Sequence, residues 1–473
     1  MRSLYTIRTA LLAASLIIGV PAVSAQSASE IEVLREQIRL LDQKLRALER
    51  KQELKEEAAA AAPKAPTVTA GAGGFALTSA DKSFDLKLRA LFQFDARFFF
   101  DDGAPNRDQF LLRRIRTPLT GTVAGIYDFN ITPELGGGTN SSTTVALWDA
   151  FAAARFTPSV GVRVGKFASA VGLEPGSNRH FIESPFVNSL LPNRDIGAEI
   201  FGAVADGVLD YRLGVFTGAP NNTTNFGGAS PDRNDGDKTI AGRLTLTPFK
   251  NRKDRALQSL SLGLGFSHGN ERGTAGTNLA NGLANISSQA QQSIFSYGSV
   301  LHADGRHTRI SPSIEWYPGT PFSAVAEYAE ERQDIAVSAN GPVRSFTNSA
   351  WRVTTGYVLT GEAAAKSGVT PQNAFKPADG KWGAFELVLR ASGLDLDGDL
   401  FKTVAAGGAG LSRLNNVESA TAYGIGLNWY LNRNFRFLVN LEHTDFDGGK
   451  TPAAQAGAHD DETAFLSRVH LSF

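Results

Sequence analysis

The chain has 473 residues, 47 Lys plus Arg against 47 Asp plus Glu, and no cysteine. Zero net charge excludes a global pull toward nucleic acid or acidic partners, so any ion preference must come from local placement. The missing cysteine excludes disulfides, thiolate metal sites and cysteine nucleophiles.

At the N-terminus, Arg2 and Arg8 precede the apolar run Ala10 to Val20, and Val23-Ser24-Ala25 stands before Gln26. This pattern predicts a secretory signal peptide over residues 1–25. No later apolar run reaches the ~20 residues a membrane helix needs. An exported chain of this kind is periplasmic, secreted or a barrel.

Residues 26–57 follow with apolar positions at spacings of three and four: Ile31, Leu34, Ile38, Leu41, Leu45 and Leu48. Arg35, Asp42, Lys44, Glu49 and Lys51 flank them. This predicts a periplasmic coiled coil, with a lone amphipathic helix as the alternative. Ile before Leu along the seam favours two strands by itself. Ala58 to Ala62 and Pro63-Lys64-Ala65-Pro66 predict an Ala/Pro linker over 58–73, and the main domain is expected over 74–473.

There the period drops to two. Phe84, Leu86, Leu88, Ala90, Phe92, Phe94, Ala96 and Phe98 alternate with Asp85, Lys87, Arg89, Gln93, Asp95 and Arg97. A half-buried soluble sheet alternates too, but soluble strands are mostly five or six residues. The texture recurs around Arg212, Arg243, Arg309 and Arg352. Segments of about ten alternating residues separated by turns are the signature of a transmembrane antiparallel β-barrel. At ~25 residues per strand and its connections, the domain holds about 16 strands. The predicted fold is therefore all-β, with a short α-helical coiled coil at its N-terminus.

Short turns such as Thr157-Pro158-Ser159, Pro318-Gly319-Thr320 and Leu431-Asn432-Arg433 are expected on the periplasmic side. The long polar segments 219–238, 269–292 and 360–380 are expected as outer loops. The chain closes on Phe465-Leu466-Ser467-Arg468-Val469-His470-Leu471-Ser472-Phe473. A last strand ending in Phe resembles the assembly signal of outer-membrane barrels.

Five stretches resemble the phosphate-selective porin O and P family: FLLRRIRTPLTG (110–121), VRVGKF (162–167), GYVLTGE (356–362), KWGAFELVLRASGLDL (381–396) and LNWYLNRNFRFLVNLEHTDF (427–446). The resemblance implies a trimeric sixteen-stranded barrel in the outer membrane. Its third loop would fold into the lumen, and it would pass anions such as phosphate or polyphosphate.

A passive pore needs no catalytic residue, metal or cofactor. An anion pore needs fixed positive charge where it is narrow, and the planar fork of Arg suits oxyanions better than Lys. Arg113, Arg114 and Arg116 are the first candidates, then Arg89 and Arg97. Arg114 and Arg116 share one parity; Arg113 has the other, and a strand end or bulge would be needed to turn it inward. By resemblance, Arg113 and Arg114 match the family's paired constriction arginines, and Asp149 its acidic constriction residue. Arg163 and Lys166 precede the expected inward loop, Phe167 to Ile196, which carries Glu174, Arg179, His180, Glu183, Arg194 and Asp195. The family's pocket lysine has no certain counterpart in this loop, Arg179 being the nearest. Arg212, Arg243, Arg309, Arg352 and Arg390 could continue the path as a ladder. The alternative for each of these arginines is a solvated lumen residue paired with a carboxylate.

Three other functions compete. A barrel enzyme would need a Ser/His or Asp/His constellation, and none stands at recognisable spacing. A plugged transporter has no room for a plug between residue 66 and the first strand. A general porin could tether the envelope, with peptidoglycan as partner of the coil. Asp395-x-Asp397-Gly398-Asp399 reads as an acidic turn, because it lacks the Glu that closes a calcium loop.

Overall fold

The computed structural model describes residues 27–61, 65–100, 108–136, 145–173, 180–222, 236–276, 281–449 and 461–473. The expected signal peptide and Arg179 lie outside the described residues. The chain divides into two compact units, residues 1–65 and 66–473.

The described part of the first unit is one helix, α1 (Ser27–Ala61). It runs through the first alanines of the expected linker, since Ala is the best helix former. Ile31, Leu34, Ile38, Leu41, Leu45 and Leu48 are all exposed along it.

The second unit is a sheet closed on itself. It begins before Gly74: the hairpin β1 (Thr67–Gly71) and β2 (Gly74–Thr78) takes up part of the segment expected as linker. Then come β3 (Asp85–Leu88), β4 (Leu91–Phe99), β5 (Gln109–Arg116), β6 (Leu119–Val123), β7 (Tyr127–Glu134), β8 (Ala146–Thr157), β9 (Val160–Ala168), β10 (Arg194–Val204), β11 (Leu209–Phe216), β12 (Thr239–Leu246) and β13 (Ser261–Arg272). A small hairpin, β14 (Ile286–Ser287) and β15 (Ser293–Phe295), precedes β16 (His302–Trp316), β17 (Phe322–Ala336), β18 (Val343–Val358), β19 (Ala384–Asp395), β20 (Val417–Tyr430), β21 (Phe435–Gly448) and β22 (Asp461–Ser472). Strand β22 pairs with β4 and closes the ring.

Strands β3 and β4 run as one stave, and β5 and β6 as the next, with β3 pairing to β6 and β4 to β5. Counted so, the barrel has sixteen antiparallel staves. The break between β5 and β6 falls at Pro118, which has no amide to give the ladder; its carbonyl accepts from the Arg89 amide at 3.0 Å.

The alternation is resolved as expected. Phe84, Leu86, Leu88, Leu262, Leu264, Ile310, Ile314, Trp351 and Val353 point outward and are exposed, while Asp95, Arg97, Arg309, Glu327 and Arg352 point inward and are buried. An apolar outside and a polar inside are what a bilayer requires of a barrel wall.

Two differences concern the connections. The segment 359–383 joins β18 to β19 at the same end as the short turns and Phe473, not at the outer-loop end. It packs Ala364 and Val369 against Val358, Ala384 and Tyr430. The segment expected as a polar loop over 269–292 is strand up to Arg272, and residues 281–301 then turn into the lumen. Leu283, Ile286, Ile294 and Phe295 are buried there in one cluster with Phe167, Phe186 and Leu190. Two inward stretches therefore fill the lumen from the loop end, residues 169–173 with 180–193, and residues 281–301.

Candidate anion-binding lumen

Strand register brings the first site together. The pairing of β4 with β5 shifts between Gln93 and Phe94, so that Gln93 opposes Arg114 and Phe94 opposes Leu112. Arg113 is the extra residue of this bulge, and a bulge re-aims a side chain. Both Arg113 and Arg114 consequently reach inward. Gly136 packs directly on the bulge; a Cβ there would stand 2.8 Å from the Arg114 Cα and 3.0 Å from the Arg113 carbonyl oxygen.

Glu183, on the first inward segment, is the hub. Arg113 donates to it from Nε at 2.7 Å and from Nη2 at 3.1 Å. Arg97 Nη2 donates at 2.7 Å, and Arg468 Nη2 lies 3.5 Å away. Arg468 also grips Asp95 with both arms of its fork, at 2.6 and 2.7 Å. Burial alone would raise the Glu183 carboxyl, but the guanidiniums of Arg113 and Arg97 hold it below the usual carboxylate range. Arg114 makes no ion pair among the described residues; its Nη1 donates to Gln93 Oε1 at 2.9 Å. The cluster thus sets four guanidiniums, Arg97, Arg113, Arg114 and Arg468, against two carboxylates.

Two further groups sit on β5 to β11. Arg116 pairs with Glu134 at 2.6 Å and Arg194 with Asp149 at 3.2 Å. Their guanidiniums lie 3.3 and 4.2 Å from the centre of the Trp148 ring, a cation–π arrangement. Lys166 Nζ donates to the Leu147 carbonyl at 2.6 Å. Arg163 and Arg212 share one carboxylate, Glu199, with Arg163 Nε at 3.0 Å and Arg212 Nη2 at 3.0 Å.

The ladder arginines behave differently. Arg309 lies 3.5 Å from Glu271, Arg352 3.1 Å from Glu327 and Arg390 2.8 Å from Glu442. Arg243 donates to Ser313 Oγ and, at 3.0 Å, to the Val171 carbonyl. Arginines of both the ladder and the hub also hold backbone carbonyls, those of the inward segments and, for Arg309, that of Ala219 after β11. Arg309 donates to the Ala219 carbonyl at 3.0 Å, Arg390 to that of Glu183 at 2.8 Å, Arg468 to that of Ile182 at 2.7 Å and Arg97 to that of Ala290 at 3.1 Å. The inward segments have too little secondary structure to satisfy their own carbonyls, and buried carbonyls require partners.

The structure therefore joins Arg97, Arg113 and Arg114 into one site and places Arg116, Asp149, Lys166 and Arg194 in a second. Arg89 belongs to neither: it stands at the turn end of the lumen and lines two cavities there. Asp95, Gln93 and Arg468 complete the hub without having been singled out. Parity pointed to all three, since each sits opposite the apolar face of its strand. The Asp395 to Asp399 stretch is an acidic turn: Asp397 caps a short 3-10 turn, accepting from Asp399 N at 2.9 Å, and accepts from Thr347 N at 2.7 Å.

A closed sixteen-stranded barrel with an apolar outer wall, charged lumen and inward-folded loop is the architecture of outer-membrane porins. The family model described as phosphate-selective porin O and P matches residues 84–472, and the chain belongs to this family. No curated protein matches. Among solved structures, the chain is similar to the outer membrane channel DcaP of Acinetobacter baumannii, with TM-score 0.51, 11% identity, and coverage of 85% of this chain and 100% of that one. It is similar to OprB of Pseudomonas putida at TM-score 0.50 and 10% identity, covering 83% of this chain and 95% of that one. The anion-selective porin from Comamonas acidovorans gives TM-score 0.48 and 12% identity, over 82% and 100%. At these identities the likeness to solved structures concerns the fold.

Proposed function

We propose that the protein is a passive diffusion channel for small hydrophilic solutes that prefers anions such as phosphate or polyphosphate. The carrying observation is the hub on β4, β5 and β22, where four guanidiniums face two carboxylates. Arg114, buried and held by an amide rather than a carboxylate, keeps its charge available to a passing ion. Two unit charges 4 Å apart attract by about 1 kcal/mol in bulk water and about 4 kcal/mol at an effective dielectric near 20. A few such cations replace part of the hydration that an anion sheds in a narrow lumen. Glu183 and Asp95 limit how tightly it is held, which a channel requires. The protein works as a homotrimer, with the turn end and α1 in the periplasm.

Reversal potentials across a planar bilayer in asymmetric KCl test this reading. The expected sign is that of chloride permeation; cation selectivity would sink the anion preference, and absence of conductance would sink the pore. Block of chloride current by submillimolar phosphate separates phosphate preference from a general anion preference.

A second role rests on α1, whose apolar seam is exposed along its whole length. Such a seam seeks other copies of itself, and the coil would extend the trimer toward peptidoglycan. Removing residues 27–66 should weaken envelope attachment; an unchanged envelope would count against tethering.

A further inference from the structure

The turn end of the barrel contains a further basic site, separate from the hub and from the group around Trp148. At the turn end a cavity of about 580 Å³ opens beside the seam where β22 meets β4. Three arginines line it from three separate elements: Arg89 from the link between β3 and β4, Arg433 from the turn after β20, and Arg436 from β21. His470 lines it as well, and no Asp or Glu does. Arg89 and Arg433 are exposed and make no ion pair among the described residues. A carboxylate at the end of Phe473, on the rim, would offset one of the three charges.

The remaining wall is mixed: Leu91, Phe435 and the edges of Tyr430 and Val369 supply apolar and aromatic surface, and Ser367, Asn432, Asn434 and Ser472 supply hydroxyls and amides. The cavity also connects to the hub. Arg114 donates to Gln93 Oε1 at 2.9 Å, Gln93 Nε2 lies 3.0 Å from His470 Nδ1, and that nitrogen is 3.4 Å from Arg436 Nη2. A chain of hydrogen-bonding groups thus runs from the hub's available cation to the turn-end cavity.

We propose that this cavity binds an organic anion, a compact apolar or aromatic body carrying two or three carboxylates. Its volume lies in the range of ligand pockets, about 300–1,000 Å³, and an inorganic oxyanion would leave most of it to water. Separated guanidiniums suit separated carboxylates, each able to take a forked pair, while the apolar part of the wall, chiefly Leu91 and Phe435, faces the body. The proposal rests on the reading of the barrel as a pore, but its test does not require conduction.

The test is calorimetric titration of the full-length protein in detergent, with benzene-1,3,5-tricarboxylate as probe and inorganic phosphate as comparison. The expected result is tighter binding of the tricarboxylate than of phosphate. The double variant Arg89→Gln/Arg433→Gln should weaken it at least tenfold, and Arg89→Lys/Arg433→Lys should restore most of the loss. Ser367→Trp, which adds bulk to the cavity's lining without altering charge, should weaken the tricarboxylate as well, and it serves if the Gln variant does not form a barrel. No binding of the tricarboxylate, phosphate binding as tightly, or titrations unaltered by both variants would overturn the proposal. Loss of conductance in a bilayer, measured separately, would instead overturn the pore.

Discussion

The hub on β4, β5 and β22 and the arginine row on β16 to β19 use the same side chain for opposite ends. Arg309, Arg352 and Arg390 each stand against a carboxylate of the wall, at 3.5, 3.1 and 2.8 Å. In the hub, Arg97, Arg113 and Arg468 share Glu183, and Arg114 is held by the Gln93 amide with no carboxylate partner among the described residues. The row is close to neutral; the hub, whose Arg97 and Arg468 also hold carbonyls of the inward segments, keeps an excess of positive charge. Counting lumen arginines therefore says little about selectivity. What matters is how many carboxylates each group of guanidiniums must share.

Crossed substitutions break or sharpen this contrast. Arg352→Gln strands Glu327, which also accepts from Leu173 N at 2.7 Å and Ser311 Oγ at 3.0 Å. Removing one partner of a buried pair costs about 3–5 kcal/mol. The expected outcome is a marked fall in the thermal midpoint of the barrel in detergent, with anion preference little altered. Equal loss of preference there and in the hub would erase the distinction.

Arg114→Gln is the converse. It strands no carboxylate, so stability should fall far less. One lumen cation is lost, worth at least about 1 kcal/mol to an anion at 4 Å, so the chloride-to-potassium permeability ratio should drop about fivefold. An unchanged reversal potential would remove Arg114 from the permeation path.

The bulge allows a third comparison. Gly136→Ala places a Cβ within 3.0 Å of backbone at Arg113, Arg114 and Ile115. Relieving that contact shifts the bulge, so Arg113 should lose part of its grip on Glu183. The expected effect is an intermediate fall in selectivity, smaller than that of Arg114→Gln. Wild-type selectivity in this variant would mean that the bulge tolerates the extra carbon.

Much of the wall was legible in the sequence, because a strand between lipid and water alternates at every second residue without reference to its neighbours. Phe84 to Phe98 and Leu260 to Phe266 show this directly. The adjacent pair Arg113-Arg114 signalled an irregular strand, and register alone decided that both point inward. Pairings such as Asp95 with Arg468, 373 residues apart, depend on ring closure, which no local pattern encodes. The apolar residues from Leu283 to Leu301 follow neither period, so their turn into the lumen was hidden. Segment 359–383 was misplaced by its length and polarity. Counting strands back from the terminal Phe473 would have put it at the turn end, since each strand reverses direction.

The smallest expected effect comes from pH, and its smallness is informative. Glu183 faces Arg113, Arg97 and Arg468, with Asp95 behind Arg468. Although burial opposes ionisation, these cations lower its proton affinity in the folded barrel. A carboxyl with a depressed folded pKa contributes stability that is full above its unfolded pKa, near 4.3, and is lost as pH falls through the folded value. Between pH 8 and 5 Glu183 is therefore ionised in both states, and its contribution to stability and charge stays constant. The difference in anion preference between the protein and its Glu183→Gln variant should therefore be flat across that window, with loosening of the inward stretch around Glu183 only at more acid pH. A shrinking of that difference between pH 6 and 5 would mean that Glu183 takes up a proton there, freeing Arg97 and Arg113, and the hub would then differ from the arginine row by titration rather than by the sharing of carboxylates.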